Sequence, residues 1–171
     1  MPNISKAHWR NKIKQSSPPS LTHHHIDLIL KHPYLSLKGH VGVYQAIHPE
    51  VNIDPLIRVL YASGHHCYLP VKVDEQTLSY GHIDDIDNLK TSQGFLTSHA
   101  KQTRNIDALD CVIIPCLGLD IDHRRLGRGG GFYDRVVTQN TRSLAILAET
   151  QKIPVAIHEQ HDCIIQEVIW I

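Results

Sequence analysis

The chain has 171 residues, with Lys+Arg and Asp+Glu balanced at 17 each and a formal net charge of zero. That balance argues against a protein that coats nucleic acid, and no apolar run approaches the length of a membrane span. A hydrophobic content of 42% and a charged content of 20% suit one globular domain with a full core, expected over residues 1–171, and exclude disorder.

In chain order, residues 4–15 predict a short basic amphipathic helix around Lys6-Ala7-His8-Trp9-Arg10, and Ser16-Ser17-Pro18-Pro19-Ser20 breaks it. This polar start carries no apolar signal core, so a cytoplasmic protein is expected. Residues 21–31 predict a second helix, capped by Ser20 and stopped by His32-Pro33. Residues 41–46 predict a strand, and residues 54–62 a helix with Asn52 as its cap and Ser63-Gly64 as its stop. Residues 67–71 and 78–82 predict strands, and residues 84–104 an irregular connection carrying a short helix. Cys111-Val112-Ile113-Ile114-Pro115-Cys116 is apolar without alternation, as in a strand buried on both faces. A Gly-rich loop, a helix over 132–139 and strands over 143–148 and 164–171 complete the chain. Strands alternating with helices predict an α/β fold, a three-layer α/β/α arrangement around a mainly parallel central sheet.

The four cysteines, at 67, 111, 116 and 163, include no Cys-x-x-Cys pair and read as buried reduced thiols. The chain carries 14 histidines. His23-His24-His25 fall within a predicted helix, where consecutive side chains point in different directions and do not converge on one metal.

The densest chemistry lies in Arg124-Arg125-Leu126-Gly127-Arg128-Gly129-Gly130-Gly131-Phe132-Tyr133-Asp134-Arg135. Glycine lets backbone approach a ligand, successive N–H groups form an anion-binding nest, and arginine supplies bidentate charged donors. A helix starting at Phe132 would add its N-terminal dipole, and Asp134 is placed to hold a metal that bridges phosphates. The loop is no Walker A motif, since no Lys follows the glycines, and no Rossmann fingerprint, since Phe132 stands where the third Gly belongs. Arg125 is expected to be partly exposed, so that its loss costs activity and little stability.

With Pro115-Cys116-Leu117-Gly118-Leu119-Asp120 upstream, this block resembles the paired signature of the 5-formyltetrahydrofolate cyclo-ligase family, Pro-x-Leu-Gly-Phe-Asp followed by Arg-Leu-Gly-x-Gly-x-Gly-Tyr-Tyr-Asp. The resemblance implies ATP- and magnesium-dependent cyclisation of 5-formyltetrahydrofolate to 5,10-methenyltetrahydrofolate. It also implies the same α/β/α architecture, with no nucleic-acid or membrane partner and a monomer or homodimer. Carried over residue by residue, Lys6, Arg10, Arg125, Leu126, Gly127, Arg128, Gly129, Gly130, Gly131, Phe132 and Tyr133 form the ATP site. Arg125 and Arg128 bear on the transferring phosphate, Gln45, Glu50 and Tyr133 on the folate, and Asp134 and Asp162 on magnesium. From the residues alone, a solvated helix face is the favoured reading of Lys6 and Arg10, and Glu50 also reads as a helix-entry charge, Asp134 as a helix start, Asp162 as a turn residue and Tyr133 equally as a packing residue.

The family carries Glu-Pro or Gln-Pro before the signature strand, where this chain has Gly94-Phe95-Leu96-Thr97-Ser98. Two alternatives therefore stand beside the cyclo-ligase: an ATP-using ligase or kinase with another substrate, and a non-catalytic folate- or nucleotide-binding paralogue.

Overall fold

The apolar runs alternate between two cores. In the strand β2 (His66–Lys72), Cys67 and Leu69 enter one apolar layer and Tyr68 the other. A strand's side chains point to opposite faces in turn, so a run that is apolar throughout must be covered on both sides. This computed structural model describes residues 5–97, 100–157 and 159–171. The elements before β2 are α1 (Lys6–Lys14), α2 (His23–Leu30), β1 (His40–Gly42) and α3 (Asp54–Ala62). After it come β3 (Leu78–His82), the hairpin β4 (Thr91–Ser92) and β5 (Phe95–Leu96), β6 (Thr103–Arg104) and β7 (Cys111–Ile113). The chain ends with β8 (Gly118–Asp120), β9 (Arg125–Leu126), α4 (Phe132–Val136), β10 (Ser143–Leu147), β11 (Lys152–Ile153) and β12 (Glu167–Trp170).

The central sheet has the order β12-β10-β7-β1-β2-β3-β6. Its first five strands are parallel, and β3 runs antiparallel to both β2 and β6. Ile26 and Ile29 of α2 and Ile57 and Leu60 of α3 pack with Cys67, Leu69, Ile113, Leu144 and Ile146. Tyr68, Tyr80, Val112, Ala145 and Leu147 pack on the other face with Tyr133 of α4. The α/β fold with a mainly parallel sheet is therefore as the alternation of elements implies. No helix among the described residues is long and apolar enough to cross a membrane.

The helix boundaries follow local chemistry. Ser5 caps α1 by accepting from the His8 N–H, and Lys12 and Lys14 lie in its last turn; Ile4 of the predicted helix lies outside the described residues. Thr22 and not Ser20 caps α2, because Thr22 and His25 exchange two hydrogen bonds, His25 N–H to Thr22 Oγ1 and Thr22 N–H to His25 Nδ1. His25 is thus a cap residue. Asn52 holds the Asp54 N–H at 3.0 Å from a position before the cap of α3. The helix predicted over 132–139 stops at Val136, because Thr138 and Thr141 tie their own turn and Thr141 donates to Asp107. The final strand begins at Glu167 because Ile164 and Ile165 pair instead with the loop at His123–Arg124.

A second sheet, β11-β8-β9, has no counterpart in the sequence reading. Its strands are two or three residues long, too short for period-2 alternation to register. Leu117, Leu126 and Ile153 from its strands and their flanks form a third apolar cluster with Trp9 and Ile13 of α1. Gln151 locks it from within: its amide donates to the carbonyls of Cys116 and Leu117 and accepts from the Ala148 N–H. The small sheet thereby fixes α1 against the loop that follows β9.

The four cysteines are buried and free. Burial pushes the thiols of Cys67, Cys111 and Cys116 up to about 12, which leaves them neutral and poor nucleophiles.

At the amino ends of β1 and β2, His40 stacks on His66 with centroids 4.9 Å apart, and His66 lies 5.6 Å from His82. Arg104 Nε–H donates to the Tyr68 hydroxyl at 3.0 Å, and that hydroxyl lies 2.9 Å from His40 Nδ1. Burial, then the charges of Arg104 and His66, hold the His40 imidazole below its ordinary value of 6.5, against an opposing pull from Asp110. A base with a lowered folded pKa gives stability that is complete above its unfolded value and is lost as pH falls through that value. The melting temperature should therefore drop as pH falls below about 6.5, with a shallower slope in His40→Asn. Parallel Tm–pH curves for the two proteins would exclude His40 as a source of the acid sensitivity.

Candidate active site

The glycine loop lies at the junction of two cavities. The first, about 620 Å³, lies between α1, the loop after β9 and the residues Ala156, Ile157, Glu159, His161 and Asp162. The second, about 260 Å³, lies between the carboxyl end of β2, the hairpin β4–β5 and the segment from Tyr44 to Glu50. Arg125 and Gly131 line both. The loop leaves the small sheet at β9, and not directly the buried strand β7. The second cavity nonetheless lies beyond the carboxyl end of β2 and against Pro115, which follows β7.

Arg125 organises this junction. Its side chain is only 7% exposed, Nε–H donates to the Pro115 carbonyl at 2.7 Å, and the guanidinium stacks 4.9 Å from the Tyr133 ring centroid. Nη1 lies 3.6 Å from Asp134 Oδ2. The expected partial exposure is therefore corrected: Arg125 is a packed structural cation as well as a wall of both cavities. At Gly127 a Cβ would collide with the Arg125 guanidinium, which would have to shift to admit it. At Gly131 the backbone has φ 66, a left-handed conformation that glycine reaches at little cost. The α4 helix it opens has five residues, and the expected contribution of a long helix dipole is accordingly withdrawn.

The first cavity is lined by cations and carboxylates that neutralise one another. Lys6 Nζ lies 2.8 and 2.6 Å from the two carboxylate oxygens of Asp162 and 3.2 Å from Glu159. Arg10 Nε–H donates to the Gly127 carbonyl at 2.9 Å, which joins α1 to the loop. Asp134 accepts from the Cys163 N–H at 3.2 Å through the oxygen not facing Arg125. Leu126, Gly127, Gly129 and Gly131 supply backbone to this wall. Glu159, His161 and Asp162 offer ligand atoms within 4.8 Å of one another. Carboxylates of this kind suit a hard cation.

The second cavity is more apolar and holds a different set. Tyr44, Phe95, Phe132 and Tyr133 bring aromatic surface, and Gln45 and Glu50 bring polar ends. Burial raises the Tyr133 phenol above its usual range, with Arg125 opposing. Both Glu50 oxygens are engaged: Arg128 Nε–H donates to Oε1 at 3.0 Å and the Ile47 N–H to Oε2 at 2.9 Å. Arg128 also donates to the carbonyls of Ile47 and His48, and Gln45 accepts from the Thr91 hydroxyl.

The residues carried over from the signature thus divide between the two cavities. Lys6, Arg10, Leu126, Gly127, Gly129, Asp134 and Asp162 border the first; Gln45, Glu50, Arg128, Gly130, Phe132 and Tyr133 border the second. Thr97 anchors the hairpin by donating from N–H and hydroxyl to the Lys90 carbonyl; Ser98 lies outside the described residues. Sequence reasoning gave no role to Asp120, whose buried carboxylate accepts from the N–H groups of Asp122, Arg124 and Ile157. It gave none to Arg124 either, which donates to the Asp162 carbonyl at 2.6 Å. Asp120 stands in the signature and Arg124 just before its second block, but their distant partners, Ile157 and Asp162, were not visible there.

A 5-formyltetrahydrofolate cyclo-ligase from Mus musculus is 22% identical over 164 residues, 83% of this chain and 78% of the relative. One from Escherichia coli strain K12 is 29% identical over 142 residues, 79% of this chain and 72% of the relative. The fold is shared with a 5,10-methenyltetrahydrofolate synthetase of Aquifex aeolicus, with a TM-score of 0.78 at 19% identity, covering 96% of this chain and 89% of that one. The synthetase of Mycoplasma pneumoniae gives a TM-score of 0.62 at 20% identity, covering 99% of this chain and 88% of that one. The sequence matches the family's own pattern over residues 7–170, and the chain belongs to the 5-formyltetrahydrofolate cyclo-ligase family of enzymes.

Proposed function

We propose that residues 1–171 act as one catalytic unit in the cytoplasm, cyclising 5-formyltetrahydrofolate to 5,10-methenyltetrahydrofolate with ATP and magnesium. The observation that carries this reading is the pair of unlike cavities meeting at Arg125 and Gly131. A cleft in which Lys6, Arg10 and Arg125 stand beside carboxylates suits a triphosphate with its metal, and an aromatic pocket with a buried Glu50 suits a ring that presents N–H donors. Their shared wall brings two reactants together, which is most of what phosphoryl transfer asks of a protein.

ATP in the first cavity would supply the phosphoryl group that activates the formyl oxygen, and magnesium, held by Asp134 and Asp162, would supply charge neutralisation. The chain's own residues do the rest. Lys6 and Arg10 hold the outer phosphates from α1, where Lys6 exchanges Asp162 for phosphate oxygen. The backbone of residues 126–131 cradles the chain of phosphates, and Arg125 stands at the point of transfer. Glu50 accepts from the pterin's amino-pyrimidine face once Arg128 moves off it, which frees Arg128 to turn toward the transferring phosphate. Gln45 and Tyr133 border the folate, with Tyr133 holding Arg125 in place from below. With its thiol neutral and buried, Cys116 takes no covalent part.

Formation of methenyltetrahydrofolate, followed by its absorbance, should require ATP and magnesium together; turnover without nucleotide, or none by folded protein with both present, would sink the reading. Gly127→Ala should displace the Arg125 guanidinium and lower kcat on the order of a hundredfold, the scale for losing one preorganised charge contact. Kinetics equal to wild type would show that Arg125 has no part in phosphoryl transfer. Asp134→Asn keeps the bond from the Cys163 N–H but removes the charge, so the magnesium needed for half-maximal rate should rise several-fold. Superimposable magnesium titrations would leave Asp134 as a partner of Arg125 alone.

A further inference from the structure

At the end of β2, Lys72 stands where the second cavity opens into a third. The third is a groove of about 560 Å³ lined by the end of β2, the hairpin β4–β5 and Thr97, Ala100 and Thr103. Lys72, Gln93 and Phe95 line both spaces, so the groove continues the pocket. The ammonium lies 4.6 Å from the Phe95 ring centroid and 4.9 Å from that of Phe132, and the two rings meet edge to face at 5.5 Å. Lys72 makes no ion pair with any described residue. Among the described residues lining the groove none is acidic; Ser92, Gln93, Thr97 and Thr103 give it hydrogen-bonding walls without charge.

A cation held on aromatic faces, with no carboxylate of its own, is an anion receptor whose apolar surroundings are already in place. A folate lying in the second cavity with its pterin toward Glu50 has a p-aminobenzoyl ring in its middle and glutamate carboxylates at its far end. The groups such a ligand needs are present: Glu50 and the Phe95–Phe132 pair line the second cavity, and Lys72, seated on those rings, lines both it and the groove. We propose that Lys72 receives a carboxylate of the substrate's glutamyl tail, and that the groove beyond it takes further γ-linked glutamates. This rests on the folate reading of the second cavity and adds to it a residue that sets tail specificity.

The test compares equilibrium binding of three probes: 5-formyltetrahydropteroate, which has no tail, 5-formyltetrahydrofolate with one glutamate, and its triglutamate. Lys72→Met keeps the stem packed on the rings, and Lys72→Arg keeps the charge. Wild type should favour the one-glutamate form over the tail-less form by on the order of fivefold, the scale for one exposed charge pair. The triglutamate should bind tighter still, and the preference should shrink as salt is raised. Lys72→Met should abolish the tail preference with binding of the pteroate unchanged, and Lys72→Arg should restore it. In turnover the change should fall on KM, not kcat. Equal tail preference in wild type and Lys72→Met, or equal binding of all three probes by wild type, would overturn the assignment and leave the folate reading standing. Failure of wild type to bind even the tail-less pteroate would overturn both.

Discussion

The buried guanidinium of Arg125 is the constraint around which the site is arranged. A charge removed from water must be met by acceptors and counter-charge, and here the Pro115 carbonyl, the Asp134 carboxylate and the Tyr133 ring meet it. Tyr133 and Asp134 are neighbours on the short helix after the loop, and Pro115 follows the signature strand, so the guanidinium ties that helix to the central sheet. The same side chain occupies the space a Cβ at Gly127 would need, so a larger residue there must displace it. Because its faces border both cavities, packing and chemistry are tied to one group. A substitution that loosens it disturbs both.

Outside Arg125, the site balances its own charges. Lys6 is matched by Asp162 and Glu159, and Arg128 by Glu50. Such pairs cost little to hold while they are partly solvated, and they keep buried carboxylates from standing alone. They also fit an exchange in which phosphate replaces a carboxylate beside Lys6 and a pterin replaces the guanidinium beside Glu50. In each exchange Lys6 and Glu50 keep a hydrogen-bonding partner.

The small sheet β11-β8-β9 explains how a surface helix comes to serve the site. Alone, a nine-residue helix is marginal in water. Trp9 and Ile13 bury α1 against Leu117, Leu126 and Ile153, and this burial points Lys6 and Arg10 at the loop. Asp120 and Gln151 secure the same region through bonds to backbone N–H and carbonyl groups. Residues of the signature thus divide into those that face the cavities and those that hold the frame, though the signature alone reads as one block.

Much of this was legible in the linear chain. The strands read at 67–71, 78–82, 111–116 and 143–148 and the helix at 54–62 announced themselves through apolar residues, an Asn cap and a Ser-Gly stop, although the strands at 111 and 143 end earlier, at Ile113 and Leu147. Local chemistry of that kind acts over a few residues, and sequence records it directly. The signature at 115–134 placed the loop and its neighbours at one site for the same reason. Contacts between distant segments were decided only by the tertiary structure. These include the burial of Arg125, the split of the loop into two walls with Arg128 on the Glu50 side, the small sheet of very short strands, and Lys72 at a cavity mouth. They are settled by which side chains the packed sheet brings within a few ångströms of one another. That depends on burial and counter-charge across the whole chain, and no window of neighbouring residues contains it.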